Sequence, residues 1–147
     1  MSRDRLYHSN LMLLPDGRVM ACGSNPARGS DELSIEIYRP PYLFQGERPT
    51  IEDAPETIRY GEVFEVQCGD PSGVQEATLI RPTATTHCVN TEQRYVGLSL
   101  EASGLTKLRL RAPANPYIAP PGHYMLFLLR NGIPSRGQFL AIAHRSN

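Results

Sequence analysis

A tyrosine and a histidine stand side by side in Arg5-Leu6-Tyr7-His8-Ser9, and another histidine lies far downstream in Thr85-Thr86-His87-Cys88-Val89-Asn90. Two imidazoles and a phenol form a donor set suited to copper(II), which favours imidazole nitrogen and oxygen ligands in a tetragonal arrangement with positions left for a substrate. The expectation is a metal centre built from Tyr7, His8 and His87. Beside the ion's charge, phenolate is favoured over phenol, and a weakly held tyrosinate can accept a substrate proton. This reading makes a geometric demand. Neighbours on a regular strand point to opposite faces, so Tyr7 and His8 meet one ion only where the backbone turns.

Blander readings stand beside it. An isolated Tyr-His on a strand is ordinarily structural, one ring in the core and one at the surface. His87 lies among Thr and Asn residues able to satisfy it as a polar loop histidine. The tract Asn90-Thr91-Glu92-Gln93-Arg94 either orients His87 through hydrogen bonds or forms a turn with local side-chain caps. His123 and His144 read as surface residues, and an ordinary solvated strand residue is one reading open to Arg81. The cysteines, Cys22, Cys68 and Cys88, are widely spaced without a CxxC pattern, so they read as small buried hydrophobes in or beside strands and no disulfide framework is expected.

The elements that position these residues read as all-β. Thirteen prolines and twelve glycines punctuate short runs rich in Val, Ile, Leu, Tyr and Thr, with no sustained helical repeat. Leu11 to Leu14, the turn Pro15-Asp16-Gly17 and Arg18 to Cys22 predict a hairpin. The alternation in Leu33 to Tyr38 predicts a strand buried on one face. A proline-flanked connector at residues 40–48 then marks a boundary. Beyond it, strands are predicted near Thr57–Arg59, Val63–Gln67, Glu76–Arg81, Tyr95–Leu100, Lys107–Arg111, His123–Arg130 and Gln138–Ala143, the pattern of an immunoglobulin-like β-sandwich. The first forty residues do not fit inside such a sandwich, and their strands alone leave apolar faces and edges uncovered, so they are expected to pack on it or to belong to a larger sheet assembly.

Charge and hydropathy remove other classes. Lys plus Arg and Asp plus Glu both total 15 in 147 residues, so no basic footprint suits nucleic acid. The longest apolar run, Tyr124 to Leu129, is far short of the roughly 20 residues that span a bilayer, and membrane insertion is not expected. Met-Ser-Arg-Asp-Arg at the start lacks an apolar core and a small-residue cleavage site, so no secretory signal is expected within these residues.

The motifs carry a resemblance. Leu6-Tyr7-His8-Ser9, Leu13-Leu14-Pro15-Asp16-Gly17-Arg18-Val19, Gly23-Ser24-Asn25-Pro26, Pro41-Tyr42-Leu43-Phe44, Thr86-His87, Asn90-Thr91-Glu92-Gln93-Arg94 and Pro120-Pro121-Gly122 run in order along nearly the whole chain. Together they resemble the C-terminal part of the galactose oxidase and glyoxal oxidase family. The resemblance implies propeller-terminal strands over residues 1–45 and an early-set immunoglobulin-like β-sandwich over residues 46–147. It implies copper radical chemistry, in which an alcohol or aldehyde is oxidised and oxygen is reduced to hydrogen peroxide. By motif, Tyr7 matches the axial tyrosine that serves as proton acceptor, and His8 and His87 match the equatorial copper ligands. The family's tyrosine-cysteine radical group comes from the propeller and has no counterpart here, so the chain would contribute half a site and be inactive in isolation. Tyr7 and His8 lie just inside the N-terminus, where fraying is expected unless other structure pins them, so weak copper binding by this chain alone is expected. A propeller in cis or in trans is the implied partner, a small alcohol, aldehyde or carbohydrate the implied substrate, and the extracellular space or cell surface the implied location.

Other classes stay open at this stage. One is a non-catalytic sandwich module that binds carbohydrate or a partner protein, with Tyr38, Tyr42, Tyr95 and Tyr117 as candidates for an aromatic platform. Another is a remnant that folds and has no chemistry.

Overall fold

A computed structural model describes residues 2–25, 27 and 29–143. Pro15-Asp16-Gly17 closes the first hairpin as its chemistry requires: Asp16 Oδ1 accepts the Arg18 amide at 3.0 Å, and Gly17 takes φ +85°. Strand β1 (Asn10–Leu13) pairs antiparallel with β2 (Val19–Cys22), Leu11 opposite Ala21 and Leu13 opposite Val19. Strand β3 (Ile35–Tyr38) pairs with the other edge of β2. It starts two residues later than predicted, because the Ser34 amide turns to Glu32 Oε1 at 2.9 Å. The predicted burial of one face is not seen. Leu33, Ile35 and Ile37 are 87%, 63% and 41% exposed, since none of the described residues covers them. The proline connector forms a 3-10 turn over Pro41–Phe44.

The rest of the chain builds the sandwich from β4 (Thr57–Arg59), β5 (Val63–Gln67), β6 (Glu76–Ile80), the short pair β7 (Thr85–Thr86) and β8 (Val89–Asn90), β9 (Tyr95–Ser103), β10 (Lys107–Arg111), β11 (Gly122–Arg130), β12 (Ile133–Pro134) and β13 (Gln138–Ala143). The ladder order is β4-β13-β11-β6-β9-β10-β5, with β12 paired to β11, and β4 lies parallel to β13. The long strand β9 serves both layers. Tyr95 to Leu98 pair with β6, while Ser99 to Ser103 pair with β10 across a register shift at Arg109 and Leu110. The sequence pattern ends this strand at Leu100, carries β6 to Arg81 and starts β11 at His123, and it gives no sign of β7, β8 and β12, which are only two residues each.

Alternation sets the core. Phe64 and Val66 on β5 and Leu108 and Leu110 on β10 point inward, joined by Ile58, Leu79, Leu140 and Ile142. Strand β11 is different, with Tyr124 to Leu128 buried without interruption. It lies centrally between β6 and β13, and the N-terminal segment approaches its second face at Phe127 through Leu13 and Tyr42. Phe127 lines a cavity of about 210 Å³ with Leu13 and Tyr42. Burying such a side chain contributes about 1.5–3 kcal/mol.

Arg48 ties the two sheets together. Its guanidinium donates to Asp16 O at 2.7 Å, Pro134 O at 2.8 Å and Ser135 O at 2.6 Å. The Gly137 amide adds a bond to Pro15 O at 2.6 Å, and glycine is required there because a Cβ at position 137 would lie 2.6 Å from the Phe127 ring. The hairpin that precedes the sandwich is thereby docked on it.

Candidate metal centre

Tyr7 and His8 sit in a turn. The Ser9 amide bonds back to Leu6 O at 3.1 Å, and His8 takes φ +61°, a left-handed conformation that costs a residue with a Cβ roughly 1–2 kcal/mol. The turn meets the geometric demand made by adjacent ligands. The two ring centroids are 4.0 Å apart, so consecutive side chains lie on the same side of the chain.

Several contacts pin this turn. The buried Arg5 guanidinium donates to Glu36 Oε2 at 3.0 Å, Gly23 O at 2.9 Å and Ser34 O at 3.1 Å. The Ser2 amide, then the Ser2 hydroxyl and Arg5, hold the Glu36 carboxyl down at about 2, against an opposing contribution from burial. Leu6 donates its amide to Ser24 Oγ at 2.8 Å, and the Asn25 amide bonds to Tyr7 O at 2.6 Å. Gly23 (φ +69°) approaches so closely that a Cβ there would lie 2.7 Å from His8 O.

His87 arrives on the β7–β8 hairpin, whose two turn residues, His87 and Cys88, have φ +53° and +66°. Positive φ at both positions is the requirement of a type I′ turn, usually met by Asn-Gly. Here two residues with side chains bear the strain, a pattern found where a functional group must be presented. The hairpin rests on the Tyr7-His8 turn. Thr85 Oγ1 donates to Asn10 Oδ1 at 2.8 Å, and the Cys88 thiol donates to Leu6 O at 3.0 Å. The His87 ring centroid consequently lies 5.3 Å from that of His8 and 5.6 Å from that of Tyr7.

These donors fit a copper ion. His8 Nδ1 is engaged by Asn25 Oδ1 at 2.9 Å and His87 Nδ1 by Thr86 Oγ1 at 2.7 Å, which leaves each Nε2 available. A ligating nitrogen lies about 2 Å from a first-row ion, so two rings on one ion have centroids within roughly 6–7 Å. The observed spacing satisfies that limit. Among the described residues no group of three or more His, Cys, Asp or Glu could hold a metal, and the Tyr7 phenol is the oxygen donor on the ring that neighbours both imidazoles. All three residues are exposed, with Tyr7 at 51%, and the described residues leave the outer side of the cluster open.

The remaining sequence candidates resolve individually. Asn90 Oδ1 accepts the Ala84 and Glu92 amides at 3.2 and 3.1 Å, and Thr91 Oγ1 donates to Ala84 O at 3.0 Å, so the Asn90–Arg94 tract makes local caps that close the hairpin. Arg81 is no solvated residue: it pairs with Glu92 and donates to Pro120 O at 3.1 Å, its guanidinium 5.5 Å from the Tyr124 ring centre. Cys68 is buried as expected, Cys22 lies half-buried in β2, and Cys88 is exposed at the hairpin tip, contrary to the core reading. His123 is exposed on β11, and His144 lies outside the described residues. Tyr38, Tyr95 and Tyr117 are exposed, while Tyr42 is half-buried and donates to Gly17 O at 2.6 Å. No ring contact joins these four tyrosines into a platform. Sequence reasoning missed Asn25 and Cys88, although the run Gly23-Ser24-Asn25 is one of the motifs that carry the family resemblance.

Comparison with known proteins identifies the chain's relatives. The profile of the galactose oxidase-like, early set domain matches residues 48–142. An aldehyde oxidase GLOX of Vitis pseudoreticulata is 36% identical over 94% of this chain and 30% of its own length. A galactose oxidase of Gibberella zeae is 32% identical over 89% of this chain and 20% of its own. The chain thus spans less than a third of the curated relatives it matches. Among solved structures, a fungal alcohol oxidase with catalytic diversity among the AA5 family, in complex with copper, superposes with a TM-score of 0.86 at 28% identity, over 97% of this chain and 32% of that one. With the profile covering well over half of its residues and an all-β sandwich to match, the chain belongs to the galactose oxidase-like, early set family.

Proposed function

We propose that this chain is the C-terminal part of a copper-dependent oxidase of the galactose and glyoxal oxidase type, to which it contributes Tyr7, His8 and His87 as metal ligands. The observation that carries the reading is the convergence of the three rings, from two turns distant in sequence that each hold non-glycine residues at positive φ. Residues 1–45 form the end of a β-propeller and residues 46–147 the early-set sandwich. A propeller, in cis or in trans, supplies the rest of the site, a division supported by relatives several times longer and by the uncovered Ile35 and Ile37 face.

Bound copper supplies a Lewis acid and a one-electron redox centre. The chain's own residues do the positioning. Asn25 and Thr86 orient the two imidazoles through Nδ1, and the Tyr7 phenolate oxygen accepts the proton of a substrate hydroxyl. The overall reaction, RCH2OH + O2 → RCHO + H2O2, moves two electrons, and the second one-electron site comes from the propeller. The substrate class is a small alcohol, an aldehyde or a carbohydrate, and the location the extracellular space or cell surface. Among the described residues no helix is long and apolar enough to cross a membrane.

The test is peroxide production by the copper-loaded protein with its propeller present. His87→Ala should abolish it with folding retained. Activity that persists in that variant sinks the assignment.

A further inference from the structure

We propose that Asn25 and Asp31 form a positioning pair that fixes the tautomer of His8, placing its proton on Nδ1 and leaving Nε2 as the bare, ligand-ready nitrogen. The purpose of that bare nitrogen rests on the copper reading above, whereas the tautomer itself follows from the hydrogen bonds alone.

The two ends of an amide side chain are alike in shape, so partners decide which end faces where. Asn25 Nδ2 lies 2.5 Å from Asp31 Oδ1 and 3.3 Å from Ser30 O. A carboxylate and a carbonyl only accept, so the end of the amide facing them is the NH2 group. The other end, Oδ1, lies 2.9 Å from His8 Nδ1. An amide oxygen only accepts as well, and Nδ1 must therefore be the donor. A neutral imidazole carries one proton, which leaves a lone pair on Nε2.

The backbone of this segment has its own work and does not need the side chain for it. The Asn25 amide bonds to Tyr7 O, Ser24 Oγ receives the Leu6 amide, and Gly23 closes against His8 O. These contacts register Gly23–Asn25 against Leu6–His8 regardless of the residue type at position 25. The side-chain amide bridges the Ser30–Asp31 segment to the imidazole, its NH2 group on the first and its oxygen on the second. His87 provides the contrast: its Nδ1 faces the Thr86 hydroxyl, which donates or accepts equally well and selects neither tautomer. His8 is preset, and His87 is not.

The experiment uses the metal-free 147-residue chain with 15N-labelled histidine, at about pH 8.5, above the ordinary imidazole range. Long-range proton–nitrogen correlation spectra report the tautomer of each ring. His8 should show a protonated Nδ1 and a bare Nε2. Asn25→Ala should bring in the Nε2-protonated form at His8 with His87 unchanged, and should lower copper(II) affinity in competitive titration by about 10–100-fold. The Asn25→Asp/Asp31→Asn double variant should restore both, because the carboxylate at position 25 accepts from His8 Nδ1 and from the amide at position 31. A purely structural Asn25 would move the melting temperature and leave the tautomer alone. Wild-type His8 protonated on Nε2, or a tautomer unmoved by Asn25→Ala, overturns the proposal. The wild-type spectrum decides the first point without any variant, so a variant that does not fold cannot shelter it. His8→Ala separates the two readings: if it binds copper as tightly as wild type while the tautomers behave as stated, the pairing stands and the copper assignment falls.

Discussion

The thiol of Cys88 meets the carbonyl of Leu6 at 3.0 Å, so the hairpin tip that presents His87 rests directly on the turn that presents Tyr7 and His8. The contact joins residues 82 positions apart and sits one residue from a proposed ligand on each side. A thiol is a weak donor, so its removal should cost little stability, under about 1 kcal/mol. Its effect on registration should be larger. Cys88→Ala is expected to lower copper(II) affinity by about tenfold, in the range of other supporting contacts around ligands. Parallel thermal unfolding and competitive titration check it, and equal losses in both would mean the thiol only stabilises the fold.

Acid should loosen the Tyr7-His8 turn before it unfolds the sandwich. Glu36 is held at about 2 by Ser2 and Arg5, below the ordinary value of 4.5. A depressed carboxylate contributes stability that is fully present above its unfolded value and is lost as pH falls from about 4.5 toward 2. Glu36→Gln should therefore be less stable than wild type at neutral pH, with the difference shrinking across that window. Melting temperatures of both proteins from pH 7 downward measure it, and a constant difference would show that the Arg5 pairing carries no protonation linkage.

Arg48 should be irreplaceable by lysine. Its planar fork reaches three carbonyls on two segments, Asp16 O on one side and Pro134 O and Ser135 O on the other. An ammonium group presents a single point and cannot span them. Both Arg48→Ala and Arg48→Lys are expected to lose about 2–3 kcal/mol in urea unfolding, the scale of a charge-assisted hydrogen-bond set that leaves carbonyls unpaired. Hydrogen exchange should show the β1–β2–β3 sheet opening ahead of the sandwich in both variants.

Tyr7→Phe keeps the ring beside His8 and removes only the oxygen. Stability should stay within about 0.5 kcal/mol of wild type, since Tyr7 is exposed. Turnover of the propeller-containing protein should fall by about 10²–10⁴-fold, the usual contribution of a positioned proton acceptor. Steady-state kinetics beside a denaturation curve separate the two, and unchanged turnover would remove Tyr7 from the proton-accepting role.

Local chemistry made much of this protein legible in its residues. Pro15-Asp16-Gly17 specified the first turn, and period-2 alternation specified β5 and β10, because turn dihedrals and strand faces are encoded within a few neighbouring positions. The same local reading singled out Tyr7, His8 and His87 and stated that the chain must turn between the first two. It could not show what covers a face. Leu33 to Ile37 alternate as a buried strand does, yet in this chain their apolar side is exposed, and β11 is buried on both sides because a distant hairpin reaches it. Nor could it see His87 and Cys88 at positive φ, since the turn lacks the glycine or asparagine that signals one. Asn25, Cys88 and Arg48 acquire their roles only through bonds to residues remote in sequence. Tertiary structure decided those, because hydrogen bonds and burial depend on which segments meet in space, while propensity and periodicity report only on neighbours along the chain.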